Sequence, residues 1–547
     1  MSSPQAKGSE KAFNRLGFSL PPFRGLGFFL FLLVHTIASF YYISQQNITF
    51  DEPNYIEYSK RWLHGNPERI HVLDDSKSPI VAICWIPRIV RQVINPNYQL
   101  NDYGRQDQKD GRYMMIVFSL LAAVYVYWWC KDLYGSKGWI FPMLLLLFDP
   151  LFLAYSTLIT TDLACGTFLL ALLFHFKKYL QTGSYKQFLL AAIFTGIAII
   201  TKQSLLFILL LLPLMALLFS YGQKLKLLPK RMLLSSGVFI VVVLLIINIA
   251  YYFHHSFTLF GKYEFVSNTM QLLQQSLSFL HWMPVPLPEP YVQSIDMLQR
   301  QAEIGGGELN SSYSGVYLLG EYKANGGFWY YYFVLLWYKM PIGTLAILVG
   351  CIFLFVKNFR IKSFVKEYQF VLLPIVYFLV ILSFFNKFQI GIRHLLIIYP
   401  LLFVGVGYLF YKVALFTIPV KLTAYAAIIF SFISVAGYYP DLIPFTNEFV
   451  INKKEVYKKI YDSSIDYGQA DSTIPGFLEQ HPEYKMASFK PGTGKYIVLM
   501  GEVMDYNVRD KPVHPWYQKM KADSLMKHVI LLYDINEQNL REAGFTK

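Results

Sequence analysis

Two adjacent carboxylates, Asp51 and Glu52, open the segment Phe50-Asp51-Glu52-Pro53 a few residues after a long apolar run, Gly25 to Gln45. Acids held at a membrane surface suit proton abstraction or cation binding. The plainer reading is a helix start, where carboxylates meet the backbone dipole and Pro53 suits the first turn. The two readings are compatible, because a helix N-terminus also keeps a carboxylate ionised and available as a base. A third acid, Asp162 in Thr160-Thr161-Asp162, begins a further apolar run. A carboxylate at that depth is costly unless it is paired or wet, and a helix cap is again the plain alternative.

The elements that must position these acids are membrane spans. The chain has 547 residues, 54% hydrophobic and only 15% charged, against roughly 25% charged in an ordinary soluble protein. Apolar runs near the spanning length recur along most of it. Eleven spans are expected, at about 25–45, 114–131, 139–155, 162–176, 187–201, 203–220, 233–253, 330–356, 368–385, 392–411 and 422–438, with breaks at Pro142, Pro213, Pro341 and Pro374 blurring their edges. The first run is long and lacks a small-residue cleavage pattern, so it reads as a retained anchor rather than a signal peptide.

The formal charge of +14 is a topology signal rather than a nucleic-acid patch. Lys7, Lys11, Arg15 and Arg24 precede the first span; Lys131, Lys137, Lys177, Lys178, Lys186, Lys224, Lys226, Lys230 and Arg231 fall in later loops on the same side. Lys357, Arg360, Lys362, Lys366, Lys412 and Lys421 complete that face, which the positive-inside rule makes cytoplasmic. The opposite face then carries two large loops, 46–113 and 254–329, and the tail 439–547. Asp51 and Glu52 face outward.

A set of cations also falls at outer ends of spans: Lys77 in Lys77-Ser78-Pro79, Lys202 in a tight turn, Lys339 before Pro341, and Arg393 in Gly391-Ile392-Arg393-His394. Any one of them is explained by snorkelling to headgroups. Together, on the side that normally lacks them, they suit a phosphate held beside the bilayer. His254, His255 and His281 show no metal-ligand spacing and read as ordinary loop histidines. The four cysteines, Cys84, Cys130, Cys165 and Cys351, have neither metal spacing nor a disulfide pattern.

Two outer regions have structure of their own. In the first loop, Tyr55 to Leu63 forms the body of a helix, and Ile80 to Ile94, with Arg88 and Arg91, reads as an amphipathic helix lying in the interface. The tail reads as a small soluble α/β domain, with strands at Tyr496 to Met500 and Val529 to Tyr533.

Taken in order, these motifs resemble a known family: the membrane glycosyltransferases typified by protein O-mannosyltransferases and the lipid A aminoarabinose transferase, with the C-type glycosyltransferase fold. Phe50-Asp51-Glu52-Pro53 resembles the family's acidic first-loop motif, and Lys77-Ser78-Pro79 its Lys-Pro element, with Ser at the first of two usual prolines. Asp149-Pro150-Leu151-Phe152-Leu153-Ala154 with Thr160-Thr161-Asp162-Leu163 is similar to the segment bearing the second acid. Thr201-Lys202-Gln203-Ser204, Lys339-Met340-Pro341 and Gly391-Ile392-Arg393-His394 have counterparts too. In the tail, Asp462-Ser463-Ser464-Ile465-Asp466-Tyr467-Gly468-Gln469 resembles a bacterial branch, with Tyr467 at a usual Trp.

The resemblance implies a mainly α, polytopic membrane domain (residues 1–438) and an extracytoplasmic α/β domain (439–547), in a bacterial inner or plasma membrane. It implies an inverting hexosyl or pentosyl transferase whose donor is a sugar on a polyprenyl phosphate and whose acceptor is a hydroxyl or phosphate of a protein, lipid or glycan. Asp51 would be the base, with Glu52 and Asp162 orienting the acceptor or holding a cationic partner. Lys77, Lys202, Lys339, Arg393 and His394 would bind the donor. No nucleotide, nucleic acid or organic cofactor is expected; the acids leave room for a divalent cation, although most of the resembled family is described as working without one. The rival readings are a transporter or flippase of lipid-linked sugars, which should show inverted repeats that are not found, and a scaffold that has lost its chemistry.

Overall fold

The computed structural model describes residues 26–70, 74, 77–97, 105–222, 229–305, 315–324, 326–413, 416–504 and 513–545. Lys7, Lys11, Arg15, Arg24, Lys224 and Lys226 lie outside the described residues, as do the side chains of Lys230 and Arg231.

The protein is an integral membrane protein built mainly of helices. Among the described residues six helices are long and apolar enough to cross a bilayer: Leu26–Gln45, Gln108–Tyr134, Asp162–Thr182, Gln203–Gly222, Ile361–Phe385 and Ile418–Ala436. Shorter apolar helices at Tyr185–Thr201, Ser235–Ala250 and Ile342–Lys357 pack among them. Several of the eleven expected spans are thus shorter or broken. The run expected at 139–155 splits into Ile140–Leu147 and Pro150–Tyr155, because Asp149 caps the second piece by accepting from Leu151 N at 3.0 Å and Phe152 N at 3.1 Å. The run at 330–356 splits into Tyr331–Lys339 and Ile342–Lys357 around Pro341, which lacks the N–H that a continuous helix needs.

The helices Asp162–Thr182 and Tyr185–Thr201 form a tight hairpin through Gly183. The first of them also approaches the 3₁₀ segment Ile392–Ile397 closely. A Cβ on Gly166 would stand 2.1 Å from the Leu396 carbonyl oxygen, so only glycine lets the two backbones meet. That contact brings Arg393 to the end of the helix that Asp162 begins.

In the first long loop, residues 46–113, the helix Glu52–Leu63 forms with Pro53 in its first turn. The expected amphipathic helix is a 3₁₀ turn, Pro79–Trp85, followed by an α-helix, Ile86–Ile94. Ile86, Ile89, Val90, Val93 and Ile94 are exposed. Of its two arginines, Arg88 is buried, its guanidinium 4.6 Å from the Trp85 ring centroid, and Arg91 pairs with Asp110.

The tail holds a four-stranded sheet ordered Tyr484–Met486, Gly494–Leu499, Ile530–Ile535, Ser524–Met526. Both strands expected from sequence are its central antiparallel pair, in register at Tyr496 and Tyr533. Residues 439–470 reach back into the helical part. Gln46 Nε2 donates to the Pro440 carbonyl at 2.8 Å, the Tyr439 hydroxyl to the Ala38 carbonyl at 2.7 Å, and Asn447 Nδ2 to the Met340 carbonyl at 2.8 Å.

Candidate active site

Asp51 occupies the N-cap position of the helix Glu52–Leu63, yet its side chain makes no capping hydrogen bond. It turns instead to two residues far along the chain. Arg393 Nη1 donates to Asp51 Oδ2 at 2.5 Å, and the Tyr467 hydroxyl donates to the same oxygen at 2.6 Å. Arg393 Nη1 also donates to the Tyr467 hydroxyl oxygen, with the guanidinium carbon 4.9 Å from the Tyr467 ring centroid. Burial pulls the Asp51 carboxyl upward, but the charges of Arg393 and Lys77 and the Tyr467 hydroxyl outweigh it and hold it well below the usual carboxylate range. Burial pushes the Tyr467 phenol well above its ordinary value, so it stays a proton donor.

Asp162 and Lys202 form a second acid–cation pair at the same end of the hairpin, Nζ to Oδ1 at 2.7 Å. Asp162 is the first residue of its helix, and here too the carboxylate binds a cation across space. Arg393 and His394 lie within electrostatic reach of Asp162, so the two pairs adjoin. His394 Nδ1 sits 3.2 Å from the Tyr332 hydroxyl.

Lys77 is buried, its ammonium 3.9 Å from the Tyr55 ring centroid, and its charge acts on Asp51. The next residue fixes where it stands. Ser78 Oγ accepts from Ile80 N at 3.3 Å and donates to the Ile200 carbonyl at 2.5 Å, tying the Lys77 turn to the helix end just before Lys202. From the other side Arg69 Nη2 donates to the Lys77 carbonyl at 3.1 Å and Nε to the Pro290 carbonyl at 2.9 Å.

Two candidates are committed elsewhere. Glu52 is completely buried against Arg112, which binds it through Nε at 2.8 Å and Nη2 at 2.5 Å. It also accepts from Thr49 N at 2.7 Å, Thr49 Oγ1 at 2.9 Å and Ile159 N at 3.0 Å. With five donors on two oxygens, Glu52 pins the Asp51 turn to the helix that carries Arg112 and to the bend just before Asp162, and has nothing left for an acceptor. Lys339 donates to the carbonyls of Ile443 at 2.6 Å and Ser464 at 2.5 Å, and so supports the tail segment beneath the site.

That segment is the part sequence reasoning underused. Gly391 has φ +112°, and a Cβ there would lie 2.4 Å from Ser463 Oγ. Ile392 N donates to Ser464 Oγ at 2.9 Å, Gly391 N to the Tyr331 hydroxyl at 2.8 Å, and Tyr331 to Asp462. Phe50 N donates to the Tyr467 carbonyl at 3.0 Å. Residues 462–467 therefore fasten the Arg393 turn on one side and the Asp51 turn on the other. Tyr467 and Arg112 were not among the expected site residues. For Tyr467 the signal was its place in the tail motif; for Arg112 it was the last charge before a long apolar run of its helix, where a guanidinium needs a buried partner.

Among the described residues one group could hold a metal ion. Glu68, His254 and His255, from the two long loops, place their ligand atoms within 4.8 Å of one another, with His254 Nε2 3.1 Å from Glu68 Oε1. Imidazole and carboxylate donors of this kind suit zinc. The histidines alone gave no such spacing in sequence; the acid comes from the other loop.

Chemically, the site is an ionised carboxylate, Asp51, beside Arg393, Tyr467, Lys77 and the Asp162–Lys202 pair at one end of the helical bundle. No curated protein matches the chain. Of solved structures, ArnT from Cupriavidus metallidurans in the apo state is similar at 14% identity and TM-score 0.47, over 76% of this chain and 64% of that one. ArnT bound to undecaprenyl phosphate gives 12% and 0.46, over 92% and 97%. The archaeal oligosaccharyltransferase AglB from Archaeoglobus fulgidus, in complex with an inhibitory peptide and a dolichol-phosphate, gives 12% and 0.44, over 82% and 61%. Residues 104–252, which carry Arg112, Asp162 and Lys202, match the dolichyl-phosphate-mannose-protein mannosyltransferase family, and to that family this part of the chain is similar.

Proposed function

We propose that the protein is an inverting glycosyltransferase of the C-type fold that moves a sugar from a polyprenyl phosphate to an acceptor hydroxyl on the extracytoplasmic side of the membrane. The observation that carries this reading is Asp51 itself. It leaves its helix uncapped and stands ionised between Arg393 and Tyr467, with Lys77 and the Asp162–Lys202 pair beside it. The family match through Asp162 and Lys202 supports the same chemistry.

In this mechanism Asp51 takes the proton of the acceptor hydroxyl as its oxygen bonds to the anomeric carbon. The bond from that carbon to the phosphate oxygen breaks on the opposite face, and the carrier leaves as its phosphate with the bonding pair. One displacement inverts the anomeric centre. Lys77, Lys202 and Arg393 receive the charge that develops on the leaving phosphate. His394, held by Tyr332, borders this group and contacts the sugar or the phosphate. Cations that rest on carboxylates in the free protein turn to the phosphate when the donor arrives. The charge bias of the loops supports an outward-facing site, with the N-terminus cytoplasmic and the tail outside.

The test is to incubate the purified protein with a panel of polyprenyl-phosphate hexoses and pentoses, and follow transfer to peptide, lipid and glycan acceptors by mass spectrometry. The expected result is consumption of one donor by the wild type and none by Asp51→Asn. Translocation of a lipid-linked sugar without consumption would select a flippase instead.

A further inference from the structure

We infer that Tyr467, supplied by the tail, is a positioning residue for the base: its hydroxyl keeps Asp51 Oδ2 anchored when Arg393 turns to the donor phosphate, leaving Oδ1 to take the acceptor proton. This rests on the transferase reading above. The geometry behind it is asymmetric. Both donors to Asp51, Arg393 Nη1 and the Tyr467 hydroxyl, converge on Oδ2, and among the described residues none donates to Oδ1. The carboxylate is therefore held by one oxygen and open at the other.

The two anchors cannot serve alike during turnover. Arg393 is a guanidinium, and a phosphate offers it a bidentate partner that competes with a single carboxylate oxygen. A phenol has no such attraction to leave for, and its proton stays on. Tyr467 is also buried and tied by its backbone. It is 2% exposed, its N–H donates to Gln469 Oε1 at 2.6 Å, and its carbonyl accepts from Phe50 N, the residue before Asp51. The same residue thus holds the base by its side chain and the base's own turn by its backbone. Its neighbours Ser463 and Ser464 hold the Arg393 turn. Asp51 can lose Arg393 and keep its place.

The experiment compares Tyr467→Phe with wild type in the transfer assay, using the polyprenyl-phosphate sugar that the wild type consumes. Phenylalanine keeps the ring beside Arg393 and removes only the hydroxyl. Losing one hydrogen bond to a charged group is expected to lower kcat about 10- to 100-fold, with donor KM changed less than about threefold. The acid limb of kcat should move to higher pH, because a carboxylate stripped of a donor holds its proton more tightly. A purely structural ring would leave that limb where it was. Values of kcat and the pH profile within twofold of wild type would overturn the inference. If the phenylalanine variant does not fold, Tyr467→Trp decides, since the indole N–H keeps a donor on the ring. Transfer within tenfold of wild type supports the role, and transfer as low as in Asp51→Asn overturns it. A wild type that consumes no donor would instead remove the transferase reading.

Discussion

Glu52 and Arg112, 60 residues apart, close on each other in a two-point ion pair with neither side chain reaching solvent. Immediately before it, Asp51 is held by one oxygen and partly open. One peptide bond separates an acid that fixes the fold from the acid proposed as the base. Removing one member of a fully buried pair strands the other charge, which costs about 3–5 kcal/mol. Glu52→Gln and Arg112→Met should each lower folded yield and thermal midpoint in detergent sharply. The double variant should recover part of both. Asp51→Asn should lower the midpoint less than either, because its pair with Arg393 is partly exposed, while transfer falls at least about 100-fold.

The pH behaviour of Asp51 follows from its depressed carboxyl. Such a group contributes stability that is fully present above its unfolded value, about 3.9, and is lost as pH falls through the folded one. Neither unfolding nor kcat/KM should therefore show an Asp51 limb above about pH 5. Arg393→Ala removes the largest lowering influence and lets burial dominate, so an acid limb in kcat/KM should rise into the measured range. A profile of unchanged shape in that variant would refute the pairing as the source of the depression.

At the second pair, Asp162 and a donor phosphate compete for one ammonium. Lys202→Ala should weaken binding of undecaprenyl phosphate by about tenfold or more. Asp162→Asn should bind it at least as tightly as wild type. Titration in nanodiscs would read both, and equal weakening would mean that Asp162 serves only to hold Lys202 in place.

Gly391→Ala should be worse than its size suggests. The left-handed backbone there strains any side chain, by about 1–3 kcal/mol, and the new methyl meets Ser463 Oγ. The expected outcome is a lower thermal midpoint together with lost donor binding, since the clash separates the Arg393 turn from residues 463 and 464. Gly305→Ala, also at positive φ but with no contact closer than 3.4 Å, makes the matched control and should retain donor binding.

What sequence made legible was local or periodic. The long apolar runs, Pro53 in a first helical turn and the short β-branched apolar run Tyr496–Leu499 each encode their own structure within a few residues. Asp162 and Lys202 were nearly legible as a pair. They flank a helical hairpin almost symmetrically about Gly183, and opposite charges at the two ends of such a hairpin must meet. The partners of Asp51 were not. Local rules offered a helix cap, whereas Arg393 and Tyr467 lie 342 and 416 residues away, and no short-range pattern specifies so distant a contact. Lys339 misled for a similar reason. A lysine at a span end looks like a phosphate ligand until the carbonyls of Ile443 and Ser464 fold beneath it.

The distance between Asp51 and its two anchors also orders events in time. A ribosome makes the base early and Tyr467 late, so the growing chain spends most of its synthesis with an acid that has no partners. Any product cut short before that tyrosine carries the base, the hairpin pair and most of the spans, and still has no finished site.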